Sequence, residues 1–339
     1  MKSFWAKLPR PFFCLAPMAD VTDAAFRRII AKYSRPQSPA VFWTEFVSAD
    51  GLCHPKGRGK LLVDLLYSES ERPIAAQLFT AHPDKMEKAA HLIQELDFDG
   101  LDINMGCPDR TIEKQGAGAA LMKNPKLAQE IIRAARRGAA KLPISVKTRL
   151  GYYRDELDTW LPALLETDLA VVTIHARTRK EMSKVSAHWE ALARAVAIRD
   201  EMKSKTLIIG NGDMSDLAEA RQRAEETGAD GIMLGRAIFG NPWLFADRIK
   251  GETFETQGLA LEINPPRSNL EKLKVMVEHT KLFEELLGKV KSFAVMKKHF
   301  KGYVTAWPGA KELCHELMGA PNGATVEKIV DKYLATMLR

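Results

Sequence analysis

The sequence predicts an α/β fold, a (β/α)8 TIM barrel followed by a small C-terminal all-helical domain. Three observations carry this expectation. Short apolar runs recur eight times over about the first 240 residues, the count such a barrel requires. Helix-like stretches such as Pro83 to Leu96 and Pro125 to Ala140 lie between them. After Pro265-Pro266 only helical periodicity remains.

In chain order the runs are Phe13 to Met18, Val41 to Val47, Ile74 to Phe79, Gly100 to Gly106, Ile144 to Leu150, Val171 to Arg177, Leu207 to Asp213 and Gly231 to Ala237. Strands that alternate with helices pair in parallel, and near-continuous apolar strands are buried on both faces. A doubly wound open sheet is the alternative, but no early GxGxxG follows a first strand. Past the double proline, Asn269 to Leu287, Ser292 to Tyr303, Ala310 to Met318 and Thr325 to Leu338 read as helices. The expected division is therefore a barrel over 1–264 and a helical domain over 267–339.

With 339 residues, 46% of them hydrophobic, the chain can bury a substantial core. The opening MKSFWAKLPRPFFCLAPM is too short and too interrupted by proline for a signal peptide, and no run reaches the roughly 18 apolar residues of a membrane span. Cys14, Cys53, Cys107 and Cys314 form no CxxC pair, so neither a disulfide framework nor a zinc site is expected. A soluble, cytoplasmic, metal-free monomer is the expectation. The net charge is +7, and residues 267–339 hold 13 Lys/Arg against 8 Asp/Glu. That excess is either a solvated helical face or the footprint of a polyanion such as nucleic acid.

Nearly every strand pattern ends in polar or glycine residues: Pro17-Met18-Ala19, Glu45, Gln77, Asn104 with Cys107, Lys147, His175 with Arg177, Asn211-Gly212-Asp213 and Gly235-Arg236. In a barrel these converge on the C-terminal face, where active sites are built. Packing does not explain eight in register. Cys107 ends a strand before the turn Gly116-Ala117-Gly118-Ala119; it is either a working thiol or a small buried hydrophobe. Gly235-Arg236 beside Asn211-Gly212-Asp213 offers a phosphate site, the usual one in barrels. Lys147 is either a structural ion-pair partner or a cation for a reduced flavin ring. His175 can donate to the same ring or simply satisfy the core, and Gln77 offers both donor and acceptor. The ensemble suits a phosphate-bearing planar cofactor, with FMN fitting better than a dinucleotide.

Ala16-Pro17-Met18, Thr22-Asp23, Phe26-Arg27, Asp102-Ile103-Asn104-Met105-Gly106-Cys107-Pro108, Ser145 to Gly151, His175-Ala176-Arg177-Thr178, Asn211-Gly212-Asp213 and Gly235-Arg236-Ala237 resemble the tRNA-dihydrouridine synthase family. The resemblance runs in order from about Leu15 to Leu244. It implies hydride transfer from FMN N5 to uracil C6, with a cysteine giving a proton to C5. Cys107 matches that acid; a thiol with an ordinary pKa of about 8.5 is mostly protonated at neutral pH. The same resemblance implies Pro17, Met18, Ala19, Gln77, Lys147 and His175 at the isoalloxazine ring, and Asn211, Gly212, Asp213, Gly235 and Arg236 at the phosphate and ribityl chain. Asn104 would hold the uracil edge. NADPH would reload the flavin, although no nicotinamide fingerprint is visible.

The base must be flipped or loop-exposed to reach a barrel mouth. The resemblance assigns the basic helical tail to tRNA, and Lys297, Lys298 and Lys301, with Arg177 and Arg179 at the rim, are the expected contacts. One departure stands out. The family usually carries an aromatic and a glycine between the His175-Ala176-Arg177-Thr178-Arg179 block and the later Trp; here the run is Lys180-Glu181-Met182-Ser183-Lys184-Val185-Ser186-Ala187-His188-Trp189. His279 and His299, in the helical tail, are expected to pack or face solvent. A different FMN barrel acting on a free pyrimidine, like dihydroorotate dehydrogenase, is the competing enzyme reading; an RNA-binding barrel without catalysis is the other.

Overall fold

The structure is a computed structural model, described here over residues 4–34, 40–246 and 267–337. Eight parallel strands occur: β1 Phe12–Leu15, β2 Phe42–Ser48, β3 Ile74–Phe79, β4 Gly100–Asn104, β5 Ile144–Arg149, β6 Val171–His175, β7 Leu207–Asn211 and β8 Gly231–Leu234. They form one sheet in the order β1-β8-β7-β6-β5-β4-β3-β2. A parallel bridge between Cys14 and Val41 joins the two ends of that order. Leu15 N donates to the Val41 carbonyl at 3.0 Å, and Val41 N donates to the Phe13 carbonyl at 3.2 Å. The sheet is thus a closed (β/α)8 barrel.

Several strands stop short of the predicted runs. β1 ends at Leu15 rather than Met18, because Pro17 has no N–H to continue the ladder. β4 ends at Asn104, and Gly106-Cys107-Pro108 becomes the loop. Helices Pro83–Glu95 and Pro125–Gly138 fall where periodicity puts them, each opening with proline at its first turn. Alternation sorts the strand side chains into two sets. Along β5, Thr148 accepts from Trp160 Nε1 of helix Leu157–Leu165 at 3.0 Å, while Ser145 and Lys147 bond Asp102 and Asn211 of other strands. The apolar core beneath includes Trp5, Phe12, Cys14, Val41, Trp43, Ala75, Val171, Ile209 and Met233.

Packing divides the chain into two compact units, Met1–Ala19 with Pro39–Arg236, and Asp20–Ser38 with Ala237–Arg339. Helix Ala24–Ser34, which follows β1 in sequence, therefore belongs with the C-terminal helices. Lys32 Nζ and Tyr33 Oη reach Glu278 of helix Asn269–Leu287 at 2.7 and 2.6 Å, and Phe26 stacks on His279 with ring centroids 4.9 Å apart. The other helices of this unit are Met296–Tyr303, Ala310–Met318 and Gly323–Met337, close to the predicted spans. The double proline expected to divide barrel from helices lies outside the described residues. Among the described residues no helix is long and apolar enough to cross a membrane.

Candidate active site

A buried chain of polar side chains runs from β5 through β3 and β4 to the C-terminal end of β4. Ser145 Oγ donates to Asp102 at 2.5 Å, Gln77 Nε2 donates to the other Asp102 oxygen at 2.6 Å, and Asn104 Nδ2 donates to Gln77 Oε1 at 3.0 Å. Asn104 Oδ1 then accepts the backbone N–H groups of Gly106 and Cys107 at 3.1 and 2.9 Å. Burial raises the Asp102 carboxyl to about 6, against the pull of Ser145 and Gln77. The chain ends by shaping the turn that carries Cys107. Gln77 and Asn104 thus spend most of their bonding capacity on each other and on that turn, which leaves each amide one further N–H.

Cys107 is half-buried and packs against the cluster of Phe79, Ile112 and Ala117. Burial pushes its thiol pKa up, so the sulfur carries its proton at neutral pH. Its carbonyl accepts from Ala119 N at 3.0 Å. Gly118 takes φ +60° against it, and a Cβ at this position would lie 2.8 Å from the Cys107 carbonyl oxygen. Only glycine meets both demands. Arg149 Nε donates to the Gly106 carbonyl at 2.8 Å, and its Nη1 donates to the Thr178 and Met182 carbonyls at 3.2 and 2.9 Å. One guanidinium therefore ties the cysteine turn to the loop after β6.

Lys147 is half-buried and donates to Asn211 Oδ1 at 3.0 Å, while Asn211 Nδ2 donates to the Met233 carbonyl at 2.8 Å. Desolvation, and then the Arg149 charge, bring the ammonium down to about 8. His175 sits across the ladder from Asn211. Burial, then the cations Lys147, Arg149, Arg177 and Arg236, hold it down to about 2. Asp213 receives Arg177 Nη2, Arg236 Nη2 at 2.5 Å and Ala187 N at 2.9 Å. Burial works against the charge of Asp213, yet these partners hold its carboxyl below the ordinary value. Asp213 itself adopts φ +51°, in the left-handed region that Asp tolerates better than most non-glycine residues. Gly212 before it has φ +140° and no space for a Cβ, with Ala187 2.9 Å away. The loops after β1 and β8 meet here: Ala16 N donates to the Leu234 carbonyl at 2.8 Å, and Met18 Sδ lies against Gly235.

The structure thus brings Met18, Gln77, Asn104, Cys107, Lys147, His175, Asn211, Gly212, Asp213, Gly235 and Arg236 to one end of the barrel. Pro17 and Ala19 flank Met18 on the loop after β1. Arg177 is not presented to an outside phosphate; it is 2% exposed, with Nε on the Val185 carbonyl and its other nitrogens on His175 and Asp213. Arg179 is only partly exposed and binds both Glu113 oxygens. Lys297, Lys298 and Lys301 are exposed on helix Met296–Tyr303 of the other unit, and Lys298 pairs with Asp20 at 3.4 Å. The atypical loop is ordered by Glu181, which accepts from Thr178 N at 2.8 Å and meets His188 Nε2 at 3.0 Å. Arg149 and Glu181 were not singled out from sequence; for Arg149 the available signal was a charge inside an otherwise apolar strand.

A family model described as dihydrouridine synthase (Dus) matches residues 14–335. The chain belongs to the dihydrouridine synthase family. Among its relatives, the probable tRNA-dihydrouridine synthase of Staphylococcus aureus (strain COL) is 39% identical over 338 residues, 99% of this chain and 97% of that protein. The probable tRNA-dihydrouridine synthase 2 of Bacillus subtilis (strain 168) is also 39% identical, covering 98% of this chain and 97% of its own. Among solved structures, a 6-hydroxypseudooxynicotine amine oxidase from Pseudomonas geniculata N1 aligns with a TM-score of 0.50 at 10% identity, over 69% of this chain and 46% of that one. That likeness is one of fold.

Proposed function

We propose that this protein reduces the C5–C6 double bond of uridines in tRNA to 5,6-dihydrouridine, with FMN as cofactor and NADPH as reductant. The supporting observation is a protonated, half-buried Cys107 in electrostatic reach of Lys147, in a chain 39% identical over almost its whole length to probable tRNA-dihydrouridine synthases. The residues suit an anionic planar group. Lys147 is a largely desolvated ammonium bonded to a neutral amide, and His175 is neutral within a ring of cations. A site of this charge favours a negative partner. Pro17, Met18, Ala19, Gln77, Lys147 and His175 would hold the flavin ring; Asn211, Gly212, Asp213, Gly235 and Arg236 would hold its ribityl phosphate.

When bound, FMN supplies the hydride for uracil C6. The chain supplies the rest. Cys107 gives the Sγ proton to C5, and a thiol whose pKa is raised by burial is well suited to hold that proton until it is needed. Asn104 fixes the turn that aims Cys107, and its remaining N–H can meet the uracil edge. Lys147 stabilises negative charge beside the ring. The exposed Lys297, Lys298 and Lys301 would meet the RNA backbone. The test is nucleoside mass spectrometry of tRNA from a dihydrouridine-free strain expressing this protein, with the modified position mapped. Dihydrouridine at a mapped uridine is expected. Its absence from a protein that purifies yellow would overturn tRNA as the substrate.

A further inference from the structure

Tyr153, on the loop after β5, is 64% exposed, the most exposed large hydrophobic side chain among the described residues. Its surroundings are built rather than loose. Tyr152 is 9% exposed and meets Tyr153 edge to face, with centroids 4.6 Å apart. Lys123 Nζ lies 4.4 Å from the Tyr152 ring centroid and the Arg179 guanidinium 5.4 Å from it. The loop backbone is pinned on both sides. Arg179 N donates to the Gly151 carbonyl and Lys180 N to the Tyr152 carbonyl, both at 2.9 Å, and Tyr152 N donates to Glu156 at 3.0 Å.

This corner is tied to the cysteine segment. Arg179, packed on Tyr152, grips Glu113 of helix Arg110–Lys114, which starts three residues after Cys107. Exposed Lys123, Arg154 and Lys180 adjoin it in sequence or contact. A rigid exposed ring among cations, next to a site that handles one base, has the chemistry of a nucleic-acid stacking surface.

We infer that Tyr153 is a stacking platform for a tRNA base that neighbours the uridine delivered to Cys107. This rests on the tRNA reading above. A π-face accepts any base, so the platform adds affinity and register without reading sequence. The nearby cations hold the flanking phosphates. Because the loop is already ordered, little conformational entropy is lost on binding.

The test compares tRNA binding and steady-state kinetics of wild-type holoenzyme with Tyr153→Ala, Tyr153→Leu and Tyr153→Trp. Flavin content reports that each variant is folded. Ala and Leu should weaken tRNA binding about tenfold and raise KM for tRNA far more than they lower kcat, whereas Trp should stay within about twofold of wild type. Leu separates stacking from simple apolar packing. Binding by the Ala variant within about twofold of wild type, or full rescue by Leu, would overturn the platform while leaving the tRNA reading intact. A wild-type protein that neither binds tRNA nor forms dihydrouridine overturns both.

Discussion

Arg177 Nη1 and His175 Nε2 lie 3.0 Å apart, and this contact sets the tautomer of the histidine. A guanidinium only donates, so Nε2 is the acceptor and Nδ1 carries the proton. The ring is neutral because burial and four cations hold its pKa down to about 2. Nδ1 therefore keeps its proton, and remains a donor, at any ordinary pH. Arg177→Met should free the tautomer, let the histidine pKa rise and leave the Val185 carbonyl without its donor. Asp213, part-buried, also loses one of its two arginines while keeping Arg236, so the change should cost about 1–3 kcal/mol. Thermal melts should show that loss, and the acidic limb of turnover should move upward while staying below the ordinary histidine pKa, because burial and the three remaining cations still depress it. An unchanged pH profile would refute the tautomer assignment.

Cys107→Ala should leave flavin absorbance and tRNA binding close to wild type while dihydrouridine formation falls about 10²- to 10⁴-fold, the usual worth of a positioned acid. Cys107→Ser should recover little, since a hydroxyl is a far weaker acid than a thiol. Single-turnover assays with pre-reduced enzyme isolate the step. Near wild-type turnover in the alanine variant would remove Cys107 as the proton donor.

Lys147 carries its charge at a cost in stability. Its folded pKa of about 8 lies below the ordinary lysine value, so the charged form costs stability. That cost is present in full below about pH 8 and is relieved as pH rises toward the unfolded value near 10.4. Lys147→Met should therefore stabilise the flavin-free protein by about 1–3 kcal/mol at pH 7, discounted because the side chain is only half-buried. The same change should weaken flavin retention. Denaturant melts of flavin-free protein, paired with a flavin-binding titration, test both signs; destabilisation together with normal binding would contradict them.

His279 and His299 are fully buried, with ring centroids 4.5 Å apart, and none of their four nitrogens has a hydrogen-bond partner. Burial lowers His299 to about 3 and His279 well below its ordinary value. Both must be neutral in the folded helical unit, so their contribution is intact above about pH 6.5 and is lost as pH falls below it. Stability should drop by about 1.4 kcal/mol per pH unit for each imidazole. His299→Phe should flatten that slope by about one proton. Urea melts between pH 7 and 5 check it, and a slope equal to wild type would show that His299 takes up its proton alike in the folded and unfolded states.

Much of the site was legible because barrel geometry is regular. Once eight apolar runs are recognised, Gln77, Asn104, Lys147, His175, Asn211 and Arg236 must gather at one end, since every parallel strand points the same way. Arg177 and Arg179 were not legible in the same way. Both stand at a rim position in sequence, but whether an arginine faces an RNA phosphate or an internal carboxylate depends on Asp213 and Glu113, which are 36 and 66 residues distant.

The sequence by itself determined the barrel, the chemistry of its rim and the helical character of residues 267–339, because strand alternation, helix period and proline are local properties. Tertiary structure alone decided that helix Ala24–Ser34 joins the C-terminal helices, because Phe26 and Tyr33 find their partners some 250 residues away in His279 and Glu278. It also decided the charge state of the site. The same lysine, histidine and cysteine would have ordinary pKa values in an unfolded chain. Withdrawal of water brings Lys147 to about 8 and raises the Cys107 thiol above its ordinary value, and with the convergence of four cations it keeps His175 neutral far into acid.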